Sequence, residues 1–182
     1  MVIMRPTSIV VAGAGSSATV RAAGGVEFAS ATSLSLNGVF TADYDDYMIV
    51  MRHLGSAFTN VWARMRAAGT DATGTNYTRQ VLFANTGTIQ GARDTSQTFA
   101  ICSRTGDNER SGDCIYFYGP NLAQPTAIRN VNVTGKTPSG TDGTQIADNA
   151  STHSLSTSYD GFTLSPVSGS FTGLVTVYGL AQ

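Results

Sequence analysis

The side chains in this sequence that could act as a nucleophile or a general base are two histidines, His53 and His153, and many serines and aspartates. These residue types allow a Ser–His–Asp arrangement, in which the histidine takes the proton of the serine hydroxyl. The strained G-x-S-x-G turn that exposes a nucleophilic serine does not occur in the sequence. Only two glutamates are present, so any carboxyl pair for glycoside hydrolysis would need aspartates. We therefore assign no catalytic residue and expect a protein that is not an enzyme.

Two groups of residues have the chemistry of metal ligands without the spacing of a metal site. The two histidines and the two cysteines, Cys102 and Cys114, are scattered along the chain, whereas a zinc site needs three or four ligands together. Segment 43–47 holds three aspartates but lacks the central glycine and closing glutamate of a calcium loop. Because aspartates also initiate turns, this segment indicates a structural turn, and we assign no metal ligand.

Segment 13–18 matches the G-x-G-x-x-A pattern of dinucleotide-binding proteins and follows a strand-like run. That pattern binds a pyrophosphate only where a helix begins at the glycines. Here Gly24 and Gly25 would stop a helix within two turns. The sequence therefore predicts a glycine-rich turn between two strands, and we expect no cofactor.

The segment from Val61 to Ala68 carries the most conspicuous binding side chains. It alternates, with Trp62, Arg64 and Arg66 on one face and small or apolar residues on the other, which favours a strand. Tryptophan and arginine could stack on a sugar or a base, but they are also the commonest anchors of subunit contacts. We interpret this face as a protein contact.

Composition indicates that strands position these residues. The 182 residues include 24 Thr, 18 Ser and 20 Gly but only two Glu and one Lys, and charged residues make up 13%, about half of the usual quarter. Helices need Glu, Lys, Leu and Gln on their outer faces, whereas Thr, Val, Tyr and Phe favour strands. The sequence thus predicts an all-β domain.

Charge and hydropathy limit the partners. The net charge is −1 and no basic patch appears in the sequence, so we expect no nucleic-acid binding. No apolar run reaches the 18 or so residues of a membrane span, and the run near the N-terminus is too short for a secretory signal. The ratio of ten Arg to one Lys is typical of contact surfaces. A genome with a strong codon bias would explain it equally well.

Short strand-like runs separated by Gly, Pro, Asn and Asp predict an antiparallel, jelly-roll-like β-sandwich. We expect run 171–180 to lie centrally in a sheet, and segments 104–113 and 135–148 to be long loops. Cys102 and Cys114 could face each other across a hairpin, although free thiols are the rule in a cytosolic product. The predicted core includes Val175, Val177, Ile49, Phe162 and Phe117.

The first 31 residues differ from the rest, because they are small, rich in Gly and Ala, and nearly free of aromatics. We interpret residues 1–31 as a docking arm or hairpin and residues 32–182 as the sandwich body. Ile9, Val10 and Val11 are good strand formers, and we expect them to pair with another chain by adding a strand to its sheet.

Five segments resemble a recurring pattern in small virion structural proteins of tailed bacteriophages, and the likeness covers most of residues 32–182. They are Leu34–Val50, Met65–Asp71, Tyr118–Thr126, Ser158–Leu164 and Gly173–Gly179. The resemblance implies a β-sandwich module, often trimeric, that is mounted on the capsid or the tail and works through its surfaces.

The sequence and this resemblance together give a first hypothesis of function. We expect a virion protein, made in the host cytoplasm, that decorates the capsid or forms a short head appendage, contacts capsid or tail proteins and forms a homotrimer. An alternative is a tail-fibre or tail-tip module that recognises a host surface glycan through segments 104–113 and 135–148. A hydrolase acting on a surface polysaccharide is a third reading.

Overall fold

The computed structural model describes residues 1–84, 87–136 and 142–181, and these residues form sixteen strands and no helix. The strands are β1 (Val2–Met4), β2 (Ser8–Ala12), β3 (Ser17–Val20), β4 (Val26–Ala31), β5 (Ser33–Asn37), β6 (Asp46–Gly55), β7 (Thr59–Ala67), β8 (Thr70–Asp71), β9 (Tyr77–Ala84), β10 (Ile89–Gln97), β11 (Ala100–Thr105), β12 (Arg110–Tyr118), β13 (Thr126–Lys136), β14 (Asp142–His153), β15 (Gly161–Pro166) and β16 (Phe171–Leu180).

Two antiparallel sheets pack face to face. The large sheet has the order β10-β9-β14-β13-β12-β6-β16-β4-β3, with β1 also pairing with β16. The small sheet has the order β11-β7-β15-β5-β2, with β8 beside β7. The predicted all-β sandwich is therefore confirmed, whereas its jelly-roll topology stays a prediction. The predicted central place of the C-terminal strand is also confirmed, because β16 lies between β6 and β4.

Aromatic and aliphatic side chains fill one region between the sheets. The rings of Phe40, Phe117 and Phe162 lie 5.3–5.7 Å apart. Phe28 and Phe171 form a second pair at 4.6 Å. All five core residues predicted from the sequence are at most 2% exposed. These confirmed positions follow from the alternation of each strand, which places every second side chain between the sheets.

The N-terminal segment differs from its predicted arrangement. Residues 1–31 contribute four strands to the sandwich: β2 pairs with β5 in the small sheet, while β1 and β4 pair with β16 in the large one. Only β3 and β4 form a hairpin with each other. Val26, Phe28 and Ala31 are buried in the same core as the residues of the predicted body. A boundary at residue 31 therefore does not divide the chain into an arm and a separately packed body. The small Gly and Ala side chains that suggested an arm therefore belong to strands and turns of the sandwich itself.

The two predicted loops are largely strand. Segment 104–113 includes the end of β11 and the start of β12, and segment 135–148 includes parts of β13 and β14, while residues 137–141 of it lie outside the described residues. Because β11 and β12 belong to different sheets, Cys102 and Cys114 do not face each other across a hairpin, and both thiols are free.

Candidate functional site: two sheet faces and a buried polar cluster

Strand β2 places the three residues predicted to dock on another chain. Val10 is 54% exposed on the outer face of the small sheet. Ile9 and Val11 point the other way and pack against the core. β2 is the last strand of its sheet and pairs only with β5, so its other edge has no strand partner among the described residues. The edge and Val10 are available for a contact, whereas Ile9 and Val11 are not.

Strand β7 places Trp62 and Arg64 side by side on the same outer face. The Arg64 guanidinium lies 4.5 Å from the centre of the Trp62 ring, and its Nε donates to the carbonyl oxygen of Thr98 at 3.0 Å. The Trp62 ring stacks on Phe99 at 5.7 Å. Both aromatic side chains are half-buried, so they form a preorganised platform in which the Arg64 guanidinium lies over the Trp62 ring.

Arg66 does not belong to this platform, although the alternation of β7 predicts it there. It is 8% exposed, and its Nε donates to Asn37 at 2.9 Å while its Nη1 donates to Thr163 at 2.8 Å. The same guanidinium pairs with Asp71 and donates to the carbonyl oxygen of Gly69. Arg66 thus ties β5, β7, β8 and β15 together within one chain, and it is not a free contact residue.

A Ser–His–Asp arrangement is present, but inside the sandwich. The Ser103 hydroxyl lies 3.5 Å from Nε2 of His53, and Nδ1 of His53 lies 3.3 Å from a carboxyl oxygen of Asp113. Both distances exceed the range of about 2.6–3.2 Å for a working nucleophile and base. None of the three residues is more than 6% exposed, so the Ser103 hydroxyl is not presented at the surface.

Burial also shifts the pKa values of His53 and Asp113 away from those that a catalytic triad requires. It lowers the pKa of His53 to about 4 and raises the pKa of Asp113 to about 7, because both charged forms lose their hydration. A catalytic aspartate must be ionised to stabilise the imidazolium that forms. Here the ionised carboxylate and the imidazolium are both disfavoured, so the cluster serves as a polar part of the interior.

The polar interior follows from the unequal width of the sheets. β11 ends the small sheet and, among the described residues, pairs only with β7, yet it faces β13 and β14 of the large sheet. Side chains of β13 satisfy its backbone: Asn130 donates to the carbonyl oxygen of Cys102, and Thr134 donates to that of Arg104 at 3.1 Å. Buried carbonyls need such partners, so polar residues of β13 point inward.

The same strands turn apolar side chains to the outside. Val131 and Val133 of β13 are 51% and 47% exposed, and Ile146 of β14 is 59% exposed. Strand register aligns them in two neighbouring rows with further exposed apolar residues. We name these six residues the outer apolar patch: Val50, Leu82, Ile89, Val131, Val133 and Ile146. Alternation in the sequence marks two faces of a strand but not which one is inward, so this patch was missed.

The remaining motifs have structural roles. Segment 13–16 is a turn that carries the chain from the small sheet to the large one, closed by a hydrogen bond from Ser16 N to the carbonyl oxygen of Gly13 at 3.2 Å. In the aspartate-rich segment, Asp46 accepts from Gly119 N at 3.1 Å. Within residues 1–84, 87–136 and 142–181, no group of three or more His, Cys, Asp or Glu side chains could hold a metal ion.

The fold and these faces define an antiparallel β-sandwich with two differently built outer surfaces. Comparison with protein-family models and with curated proteins finds no match to this chain. In the described part of the chain, no helix is long and apolar enough to cross a membrane.

Proposed function

We propose that this chain is a non-enzymatic structural protein of a tailed-phage virion that works through protein–protein contacts. In this role it decorates the capsid or forms a short head appendage, and its copies associate as a homotrimer. The observation that supports an assembly role is the outer apolar patch, because soluble monomers rarely expose a contiguous apolar surface of more than a few hundred Å². The virion location rests on the sequence resemblance.

Quantitative gel analysis of purified particles of the phage that encodes the chain tests this proposal. A band at the chain mass of 19.0 kDa that stays with the particles through density-gradient purification is the expected result. A copy number in the hundreds indicates shell decoration, and tens or fewer indicate a collar or tail position. Particles that lack the chain overturn the virion role.

The free edge of β2 is the proposed contact with the particle. Adding a strand of a capsid or tail protein there would use the unpaired backbone groups of β2. Val10→Arg places a charge beside this edge, and we expect it to lower occupancy on particles. Val167→Arg is the matched control, since Val167 is 59% exposed, close to the 54% of Val10, but follows β15, which β5 separates from β2. Equal occupancy of both variants overturns this docking site.

A second candidate function is a tail-tip module that recognises a host surface glycan, and the Trp62–Phe99 platform favours it. Sugar rings present apolar faces that pack on aromatic rings, and the Nη groups of Arg64, which lies over Trp62, could donate to their hydroxyls. Calorimetric titration with host surface polysaccharide tests it. Trp62→Ala should abolish binding, whereas Tyr118→Ala, an exposed aromatic of the large sheet, should retain it. No heat of binding by the wild-type chain excludes this candidate for the polysaccharide tested.

A further inference from the structure

The outer apolar patch lies on the part of the large sheet whose burial pattern is reversed. In β13, Asn130, Asn132 and Thr134 are at most 1% exposed, whereas Val131 and Val133 between them are about half exposed. An antiparallel sheet with one wet face normally turns its polar residues to water. Apolar residues on the outer side of a strand are expected where that side is also covered and kept from water. The reversed pattern of β13 therefore indicates that a second surface covers this face.

The size of the face suits a subunit contact. From β10 to β6 the patch crosses five strand spacings, about 24 Å, and its rows are about 7 Å apart. Two further rows on the same face mix Met48, Tyr116 and Tyr118 with the polar residues Gln80, Arg93 and Arg129. The four rows cover roughly 600 Å² in projection, comparable to the ~800 Å² that each partner contributes to a standard interface.

Charge on this face fits a second copy of the same chain. Arg129 and Asp148 lie within it and pair with each other at 2.6 Å, with side chains 57% and 42% exposed. A face that carries adjacent charges of both signs is complementary to itself, because Arg129 of one copy can pair with Asp148 of the next. Arg52, Arg93 and Asp46 also lie on this face, so it carries charges of both signs with a small net charge and offers no strong field to a highly charged partner.

We propose that the outer apolar patch is the contact between copies of this chain, so that the large sheets of neighbouring copies pack on each other and Val131, Ile146 and Leu82 become a second core. This inference deepens the proposed function and rests on its assembly role. The contact between copies is tested on the purified chain alone, whereas the virion role is tested by the gel analysis of particles. Either proposal can therefore fail without the other.

Light scattering coupled to size-exclusion chromatography tests the contact with the full chain. We expect a mass at least twice the 19.0 kDa of one chain, because the contact joins copies of the same chain. Ile146→Arg should weaken association at least about tenfold, because it places an unpaired charge at the centre of an apolar contact. Val167→Arg, equally exposed but outside the patch, should keep the wild-type mass.

Cys114 provides a second readout that needs no substitution. It lies half-buried in the row between Val131 and Val50, whereas Cys102 is fully buried. A maleimide should therefore label Cys114 slowly in the oligomer and at least about tenfold faster after dilution below the dissociation constant. Three results would each overturn the proposal. The first is a monomeric wild-type chain at about 100 μM, which would leave any contact weaker than about 5.5 kcal/mol. The others are a wild-type mass for Ile146→Arg and labelling that does not change on dilution.

Discussion

Nδ1 of His53 lies 3.3 Å from a carboxyl oxygen of Asp113 between the two sheets, with neither side chain exposed to solvent. The pair joins β6 to β12, which are neighbours in the large sheet. Burial raises the pKa of Asp113 to about 7 and lowers that of His53 to about 4, so near pH 6 the carboxyl is protonated, the imidazole is neutral and the pair carries no net charge. This arrangement keeps two titratable groups in the interior without burying an ion.

The two groups affect stability in opposite directions as the pH changes. The pKa of His53 is lowered from 6.5 to about 4, so its contribution is present above pH 6.5 and is lost as the pH falls through 4. The pKa of Asp113 is raised from 3.8 to about 7, so its contribution is present below pH 3.8 and is lost as the pH rises through 7. Between pH 4 and 6.5 the two slopes cancel.

Asp113→Asn should therefore make stability depend on pH where the wild type does not. The amide keeps an oxygen that accepts from Asn132, which lies 2.9 Å from the carboxyl, and leaves His53 as the titrating group. We expect the free energy of unfolding to rise between pH 4 and 6.5 with a slope of up to about 1.4 kcal/mol per pH unit. Above pH 7 the variant should exceed the wild type, since it buries no carboxylate.

Urea unfolding at pH 4, 5, 6, 7 and 8.5 measures both effects. His53→Gln is the reciprocal control, and its stability should fall as the pH rises from 4 to 7, because Asp113 is then the titrating group. A flat profile for both variants would show that the pair does not titrate in this range.

Arg66 gives a prediction about the outer face of the small sheet. Arg66→Ala removes the donors to Asn37, Ser35, Thr163 and Asp71 and leaves the Asp71 carboxylate without its cation. We expect a loss of about 3 kcal/mol in the free energy of unfolding. Arg66→Lys should recover little of it, because an ammonium cannot reach several acceptors in one plane.

Arg64→Ala is the matched control for this comparison, since it removes an arginine from the same face of β7. Arg64 makes one hydrogen bond to Thr98 and stacks on Trp62, so its loss should cost less than about 1 kcal/mol. Chemical denaturation at neutral pH measures all three variants. Equal losses for Arg64→Ala and Arg66→Ala would contradict the distinction between them.

The strands with apolar alternation could be predicted from the sequence, as β16 shows by matching the predicted run 171–180. Strands β10 and β14 could not, because the first is almost wholly exposed and polar and the second buries Gln145, Asn149 and Ser151. The buried cluster of Ser103, His53 and Asp113 was equally hidden, since it depends on which residues of three strands meet. Periodicity identifies the faces of a strand, and only the pairing of sheets decides which face is inside.

Phe162 tests the position of the aromatic core that the sequence did predict. Its ring lies 5.6 Å from Phe117 and 5.7 Å from Phe40, with no exposed surface. Phe162→Ala should cost about 3–5 kcal/mol, because the rings of Phe40 and Phe117 would border the cavity it leaves. Leu155→Ala, at a residue that is 42% exposed, should change the unfolding free energy by less than about 0.5 kcal/mol. A small effect at Phe162 would show that the core collapses around the gap.

Deletion of the N-terminal segment separates the sequence-based arrangement from the observed one. The sequence predicts that a chain of residues 32–182 folds alone. In the structure this deletion removes β4, whose Phe28 packs 4.6 Å from Phe171 and whose Val26 pairs with Val175. Each lost side chain contributes about 1.5–3 kcal/mol of burial, and β2 and β3 are lost with them. Since a domain of this kind has only about 5–15 kcal/mol of stability in total, we expect residues 32–182 to lack a cooperative thermal transition by circular dichroism.

Deletion of residues 1–4 is the control, because it removes only β1, where Val2 is 51% and Ile3 38% exposed, and that chain should still unfold cooperatively. A sharp transition for residues 32–182 would instead restore the view of the segment as a separate arm.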